Sequence, residues 1–520
     1  MDTHLESELN NPAPSQRPRL TPLALLARNA TLSLLASGWI LLVLVVALPK
    51  LISYLGETAF GLFSLAWAVI GYLALLDIGV NRAATKFVSE RLARQDHRAA
   101  TQLVRTAVIL NLSIGLLGGL VVAVITPYLI HSLFKIPGGL EAQACIAFYA
   151  VSASVPALLV NGVFRAVLSS YQMFGWINAI DGSANTAQWT IACLLAWKAF
   201  GVGWVVSSTV LVRLVAAGAY ACRVHRVFPD LQLLRVRELR EASKLLRFGG
   251  WVSVSQLVNP LLSYLDRILI ASLVSLGAVT LYSVPFEAMS RLRILPSSLM
   301  AALYPAFSER EIDRQQLQQL YECSLRYLLI LLGPGTLFLC VMGPDLFGLW
   351  MGESFARHTS VVVRMLALGV LANALAPVPY GLLQALGRPD LTGKFHLLEL
   401  PLQFGLCMLL IPRWGINGAA LATALRLAAD SALLFWAAAK YCGCSFGISN
   451  GYARALTPSA LLGLALSVAR FALKSPGERL AAGALAVTAC LLCAWFFALD
   501  TKEKPRITRA FRTLLGEAAS

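Results

Sequence analysis

The sequence predicts an all-α polytopic membrane protein of about 14 transmembrane helices, in two parallel-repeat six-helix lobes around a central cavity, with two further C-terminal helices. Three observations predict it. Hydrophobic residues make up 58% of the 520 residues and charged residues 13%, against roughly 45–50% and about 25% in soluble domains. Apolar runs of the length that crosses hydrocarbon, about 20 residues, recur along the whole chain. Lys and Arg fall in alternate gaps between those runs, as the positive-inside rule requires. A soluble protein could not cover its surface with so few charges, and a mean hydropathy of +0.69 excludes a disordered chain.

Residues 1–24 are polar and hold Pro12, Pro14, Pro18 and Pro22, so a disordered cytoplasmic N-terminus is expected. No cleavable signal is expected, because a polar arm precedes the first apolar run and that run continues into the chain. Spans 1–6 lie near 30–49, 58–80, 103–126, 142–165, 176–199 and 203–223 and form an N-lobe, 25–225. Between spans 2 and 3, residues 81–101 read as an amphipathic helix. Its apolar stripe is Ala83, Ala84, Phe87, Val88 and Leu92; Arg82, Lys86, Arg91, Arg94 and Arg98 supply the basic remainder. That helix reads as lying on the membrane surface, with Arg82 and Lys86 as a vestibule for a phosphorylated headgroup as the functional alternative. A basic cytoplasmic linker, 226–246, leads to the C-lobe, 247–440. Its spans lie near 247–272, 280–304, 323–343, 359–386, 393–411 and 416–439. Spans 13 and 14, near 455–473 and 480–499, fill 441–500, and 501–520 is a basic cytoplasmic tail.

With the N-terminus inside, 29 of the 43 Lys and Arg residues fall in inside segments and seven in outside loops. Both termini are therefore expected in the cytoplasm. The net charge of +16 follows from topology and attraction to anionic lipid, and nucleic acid is not an expected partner. Cys145, Cys193, Cys340, Cys407, Cys490 and Cys493 lie in spans, and Cys442 and Cys444 fall on the reducing side, so no disulfide framework is expected. Cys490-x-x-Cys493 sits in an apolar helix with no His or acidic companion and reads as helix packing. No phosphate-loop motif, paired-carboxylate loop or His pair at ligand spacing occurs, so neither an enzyme nor a resident cofactor or metal is expected.

Internal similarity is ordered along the chain. Leu55-Gly56 and Ser64 match Leu276-Gly277 and Ser283; Ser-Glu-Arg occurs at 89–91 and 308–310. Gly162-Val-Phe-Arg-Ala-Val matches Gly381-Leu-Leu-Gln-Ala-Leu, and Phe200-Gly201-Val-Gly203 matches Trp414-Gly415-Ile-Asn-Gly418. Offsets of 214 to 221 residues make the halves parallel repeats, a plan that puts substrate at their interface. Pro156, Pro285, Pro296, Pro377 and Pro379 interrupt spans and predict kinks.

Ionisable side chains within spans cost at least about 2.5–3.5 kcal/mol each on insertion scales and tend to face an interior cavity. Here they are Arg213, Asp266, Arg267, Glu287, Arg291, Arg293, Arg364, Glu399, Arg426, Asp430 and Arg470, with Asp181 at the inner end of span 5. Glu287 and Arg291 are four residues apart, as are Arg426 and Asp430, so each couple can pair on its own helix. Asp266 and Arg267 are read as a structural pair, with ion coupling as the alternative. Arg213, Arg293 and Arg364 have no partner on their own helix. Because the guanidinium fork matches phosphate, Arg213, Arg291, Arg293, Arg364 and Arg426 are expected to line a cationic cavity for a phosphorylated or acidic substrate. Glu287 and Asp430 are the expected ion-coupling carboxylates.

Leu75-Leu76-Asp77-Ile78-Gly79 with Arg82, Tyr264-Leu265-Asp266-Arg267-Ile268-Leu269-Ile270, and Tyr304-Pro305-Ala306-Phe307-Ser308 resemble polysaccharide exporters of the O-antigen flippase type. Gly387-Arg388, Lys394 and Trp414-Gly415-Ile416-Asn417-Gly418-Ala419-Ala420 extend the resemblance over about residues 25–440. It implies the multidrug/oligosaccharidyl-lipid/polysaccharide exporter superfamily, whose members work by alternating access. The implied substrate is an undecaprenyl-diphosphate-linked glycan flipped across the bacterial inner membrane for O-antigen, exopolysaccharide or capsule assembly. Proton or sodium coupling is implied too, with polysaccharide polymerase and chain-length proteins as partners. The rivals are a drug or cation antiporter of the same superfamily and a non-transporting subunit of an assembly complex.

Overall fold

The computed structural model describes residues 22–77, 79–134, 136–229, 261–293, 314–444 and 450–494, with residues 296, 300 and 307, and side chains from residue 38 onward. The expected N-terminal arm before residue 22, most of the linker 226–246, the first half of span 7, most of the end of span 8 and the tail 501–520 lie outside the described residues.

Among the described residues all regular structure is helical. The first half comprises α1 (Pro22–Leu55), α2 (Glu57–Leu73), α3 (Val80–Ala93), α4 (His97–Tyr128), α5 (Glu141–Ser170), α6 (Phe174–Trp197) and α7 (Val202–Val227). The second half comprises α8 (261–273), α9 (Leu276–Ser290), α10 (Arg314–Met351), α11 (Glu353–Asn373), α12 (Pro377–Ala385) and α13 (Pro389–Ala437). The appended pair is α14 (Asn450–Ala472) and α15 (Pro476–Cys493).

Nine described stretches are long and apolar enough to cross a membrane. One of them, Asp390–Cys442, has 53 residues, about 80 Å of helix at 1.5 Å per residue, more than two hydrocarbon thicknesses. It holds spans 11 and 12, because α13 is broken at Gly415, where φ is 56° and ψ −132°. A side chain is strained at that φ, so glycine makes the turn. A Cβ on Gly418 would strike the carbonyl of Leu410, so the chain doubles back on itself there. Lipid-facing positions invert the soluble pattern: Leu116, Leu117, Leu120 and Val124 of α4 are all exposed.

The repeat reappears as packing. In the first half α4 packs on α5 and α5 on α7; in the second, α10 packs on α11 and α11 on α13. One contact is reproduced residue for residue: Gly162 lies against Asn81, and Gly381 against Met300. Both members of the second couple lie 219 residues after those of the first.

The halves meet where α2 packs on α9. Gly61 lies against the Leu276 carbonyl, and Thr280 Oγ1 donates to the Glu57 carbonyl at 2.6 Å. Further along, Tyr264 covers Gly71 and Tyr72 OH donates to the Leu261 carbonyl at 3.2 Å. One apolar core runs through this seam, with Leu62 and Phe63 of α2 beside Leu276, Val279 and Tyr282 of α9.

α3 is amphipathic as its pattern predicts, with Ala83, Ala84 and Val88 buried and Arg82 and Lys86 exposed. Gly79 at φ 72° turns the chain into it, and Asp77 Oδ1 accepts the amide hydrogen of Asn81 at 3.2 Å. The Asp-Ile-Gly signature thus starts a helix.

Candidate functional site: polar clusters inside the helix bundle

Arg213, on α7, meets the first half's aromatic interior. Its Cζ lies 4.2 Å from the Trp67 ring centroid of α2, and Nε donates to Gln188 Oε1 of α6 at 3.4 Å. Phe63 joins the group between Trp67 and Trp189, with ring centroids 6.1 and 6.0 Å away. Among the described residues no carboxylate ion-pairs with Arg213, so one full positive charge stands at membrane depth on an indole face. Such a group attracts an anion.

Asp266 is the hub of the second half. Its carboxylate is 1% exposed. It accepts from Tyr282 OH of α9 at 2.5 Å and Thr423 Oγ1 of α13 at 2.8 Å on one oxygen, and from Gln403 Nε2 of α13 at 2.5 Å on the other. Cys407 Sγ adds a weak contact at 3.4 Å. Four spans, 7, 8, 11 and 12, are tied to one carboxylate by neutral donors. Its sequence neighbour is not its partner, which corrects the structural pair expected of Asp266 and Arg267. Adjacent helical residues point about 100° apart, so they cannot face each other. Arg267, 3% exposed, turns to Glu287 instead, Nη2 to Oε1 at 2.7 Å, and lies between the Tyr264 and Phe286 rings.

Glu287 therefore serves two arginines, because Arg291 also reaches it at 3.6 Å. This i,i+4 couple matches the expectation of pairing on its own helix. Glu287 and Arg291 edge an apolar groove of about 600 Å³ between α1, α9 and α10, walled by Leu41, Leu48, Met289 and Phe347. Trp350 Nε1 donates to the Val45 carbonyl at 2.7 Å and ties α10 to α1 beside it.

Arg426 and Asp430 do not pair with each other, contrary to the spacing argument. Arg426 Nη1 instead reaches Glu399 Oε2 across the α13 hairpin at 3.0 Å. Asp430 Oδ2 accepts from Asn373 Nδ2 of α11 at 2.8 Å. A ring nitrogen of His396 and one oxygen each of Glu399 and Asp430 lie within 4.8 Å of one another. The trio is close enough to share one small cation, a proton included. The trio is faint in the sequence because His396 has no second histidine at ligand spacing, although Glu399 lies one turn away on the same face.

The remaining expected residues stand elsewhere. Arg364 is exposed on the face of α11 that also carries exposed Val361 and Leu368, away from the buried clusters. Arg293 ends a single helical turn, Arg291–Arg293, and its side chain lies outside the described residues. Arg82 and Lys86 face outward on α3, with Lys86 4.0 Å from Glu90. The Arg213, Arg291 and Arg426 side chains occupy three separate clusters, each with its own partners.

The architecture is that of solved multi-pass membrane transporters. It superposes on the lipid II flippase MurJ in an inward closed conformation with a TM-score of 0.70 and 13% identity, covering 89% of this chain and 97% of MurJ. An inward-facing MATE-family multidrug resistance transporter of the MOP superfamily gives 0.65 and 15% identity, covering 80% and 94%. Residues 26–311 match the model of the polysaccharide biosynthesis protein family, and the chain belongs to that family. Among curated relatives, a candidate O-antigen transporter of Shigella flexneri is 24% identical over 389 residues, 75% of this chain and 91% of the relative. The lipopolysaccharide biosynthesis protein WzxC of Escherichia coli K12 is 25% identical over 244 residues, 45% of this chain and 47% of the relative.

Proposed function

We propose that the protein flips a lipid-linked oligosaccharide, an undecaprenyl-diphosphate glycan, across the bacterial inner membrane for O-antigen, exopolysaccharide or capsule assembly. The observation that carries this reading is Arg213: a guanidinium at membrane depth, stacked on Trp67, with no carboxylate partner among the described residues. A diphosphate supplies the missing charge, and indole faces such as Trp67 and Trp189 accept the apolar faces of sugars. The groove between α1, α9 and α10 offers an apolar track for a polyprenyl tail, with Arg291 and Glu287 at its edge. The relatives named as transporters and flippases support the same assignment.

In this reading residues 25–225 and 247–440 are the moving lobes, and α2 and α9 part and close as access alternates. Transport is driven by a proton or sodium gradient and involves no covalent chemistry. Both termini are cytoplasmic, and polysaccharide polymerase and chain-length proteins are the partners that consume the flipped glycan. A drug-cation antiporter would favour carboxylates open to its cavity, whereas Asp266 here is 1% exposed and engaged by neutral donors, and Arg213 is a cation without a carboxylate partner among the described residues.

The test uses purified protein in liposomes holding undecaprenyl-diphosphate oligosaccharide, with an impermeant lectin as the reporter of leaflet exposure. Protein-dependent exposure, faster under an imposed ion gradient, is expected. Absence of exposure under every gradient, with folded protein, overturns the proposal in favour of an antiporter or a scaffold.

A further inference from the structure

We infer that Glu399 and Asp430, on the two arms of the α13 hairpin, together hold one exchangeable proton and form the proton-binding site of this carrier; the coupling role rests on the transport reading above. The geometry consists of two carboxylates, one imidazole and one guanidinium. One oxygen of Glu399, one of Asp430 and a ring nitrogen of His396 lie within 4.8 Å of one another. Glu399 is 1% exposed and His396 8%. Arg426 occupies only Glu399 Oε2, at 3.0 Å, and Asn373 only Asp430 Oδ2, at 2.8 Å. Glu399 Oε1 and Asp430 Oδ1 are both buried and receive no hydrogen bond.

A buried carboxylate oxygen without a donor loses its hydration for nothing in return. Two of them in one cluster are relieved together by a single proton. It forms an O–H bond on one carboxyl group, which then donates to the other, and no further reactant is needed. Two carboxylates this close repel each other when both carry charge. Charge counting selects a monovalent occupant, as a proton is. Two carboxylates and Arg426 sum to one negative charge, which one proton cancels, whereas a divalent ion would leave the cluster positive beside a guanidinium.

The surroundings do not supply that charge by another route. Among the described residues Arg426 is the only ion-pair partner of the two acids. From α12, Tyr380 stacks on His396 with ring centroids 6.3 Å apart. From α11 comes neutral Asn373, which also donates to Ser431 Oγ and the Leu427 carbonyl. From α9, Tyr282 is spent on Asp266, as are Thr423 and Gln403 of α13 itself. His396 is placed as the relay, one turn from Glu399. Deprotonation leaves Arg426 as the sole counter-charge, and protonation loosens its hold, so the hairpin is stiff in one state and slack in the other.

The test is infrared difference spectroscopy of the purified full-length protein in liposomes, titrated with acid in H2O and D2O. A deuterium-sensitive carboxylic-acid carbonyl band is expected in wild type and lost in both Glu399→Gln and Asp430→Asn, two variants guarding against one misfolding. The parallel arm measures lectin exposure of undecaprenyl-diphosphate glycan under a pH gradient and under a sodium gradient. Loss of the pH-driven acceleration in both variants supports the inference. A band with no glycan movement under any condition supports the proton site and removes the flippase reading. Identical spectra in wild type and both variants overturn the inference. So does a band that sodium abolishes at constant pH, which would make the site a sodium site.

Discussion

Arg470 Nη1 of α14 lies 2.6 Å from Asp345 Oδ2 of α10. The other oxygen of Asp345 accepts Arg479 of α15 at 3.1 Å, so one carboxylate fastens both appended helices to the second half. Arg470 also donates to the Val341 carbonyl at 2.9 Å, which fixes its fork along α10. The arginine at 470, awkward in a hydropathy plot, thereby has a structural role.

Removing that carboxylate leaves two guanidinium groups in low-dielectric surroundings with nothing to balance them. Asp345→Ala is expected to lower stability by about 3–5 kcal/mol, the usual cost of breaking a buried pair from one side. Thermal unfolding in detergent checks it, and the further change Arg470→Leu should restore part of the loss. A melting temperature equal to wild type would show the clasp to be ornamental.

Asp266 gives a second prediction. Asp266→Ala removes the acceptor shared by Tyr282 OH, Thr423 OH and the Gln403 amide and leaves them only one another; a buried donor left short costs about 1–3 kcal/mol, so poor folding is expected. Asp266→Asn keeps the shape but turns part of the acceptor into a donor, and it should fold with an intermediate melting temperature. Equal stability of both variants would contradict the hub geometry.

The seam between the halves is tested at Gly61. A valine there meets the backbone carbonyl of Leu276, which cannot move aside as a side chain could. Gly61→Val is therefore expected to hold α2 and α9 apart at that end. Spin labels on α2 and α9 should report a longer distance in the variant, and an unchanged distance distribution would refute the close approach.

Arg213 is tested by charge and by shape. Arg213→Ala should slow glycan exposure roughly tenfold, about 1.4 kcal/mol, at equal membrane abundance. Arg213→Lys keeps the charge but loses the fork and the indole stack, and should fall between. Equal transport at equal abundance would remove Arg213 from the site.

The fold was legible in the sequence because hydrocarbon imposes a length and the cytoplasm imposes a charge, and both are written directly in composition. Even the repeat could be read, and Gly381 lies against Met300 as Gly162 lies against Asn81. The polar interior was legible only in part. Charged residues stand out in an apolar run, as Arg213, Glu287 and Arg426 do, and spacing along one helix identifies Arg291 beside Glu287 but not a partner on another arm. Arg426 crosses to Glu399, and Asp266 is held by Gln403, Thr423 and Cys407, neutral side chains with little weight in a hydropathy scan. Gln403 at the centre of an apolar span was the available signal. Arg364 misled because charge at membrane depth does not say which way a helix face points.

The single broken residue at Gly415 has a consequence for how the protein is made. Spans 11 and 12 enter the membrane as one hairpin, and that hairpin carries Glu399 with Arg426 and Gln403 with Thr423, on opposite arms. Their dehydration is therefore compensated within the hairpin itself, without a contact from any other helix. The same economy makes the turn a registration mark. One residue inserted beside Gly415 would rotate one arm by about 100° against the other and separate both couples at once. A loop that tolerates length changes in most proteins is here the calibrated part of the chain.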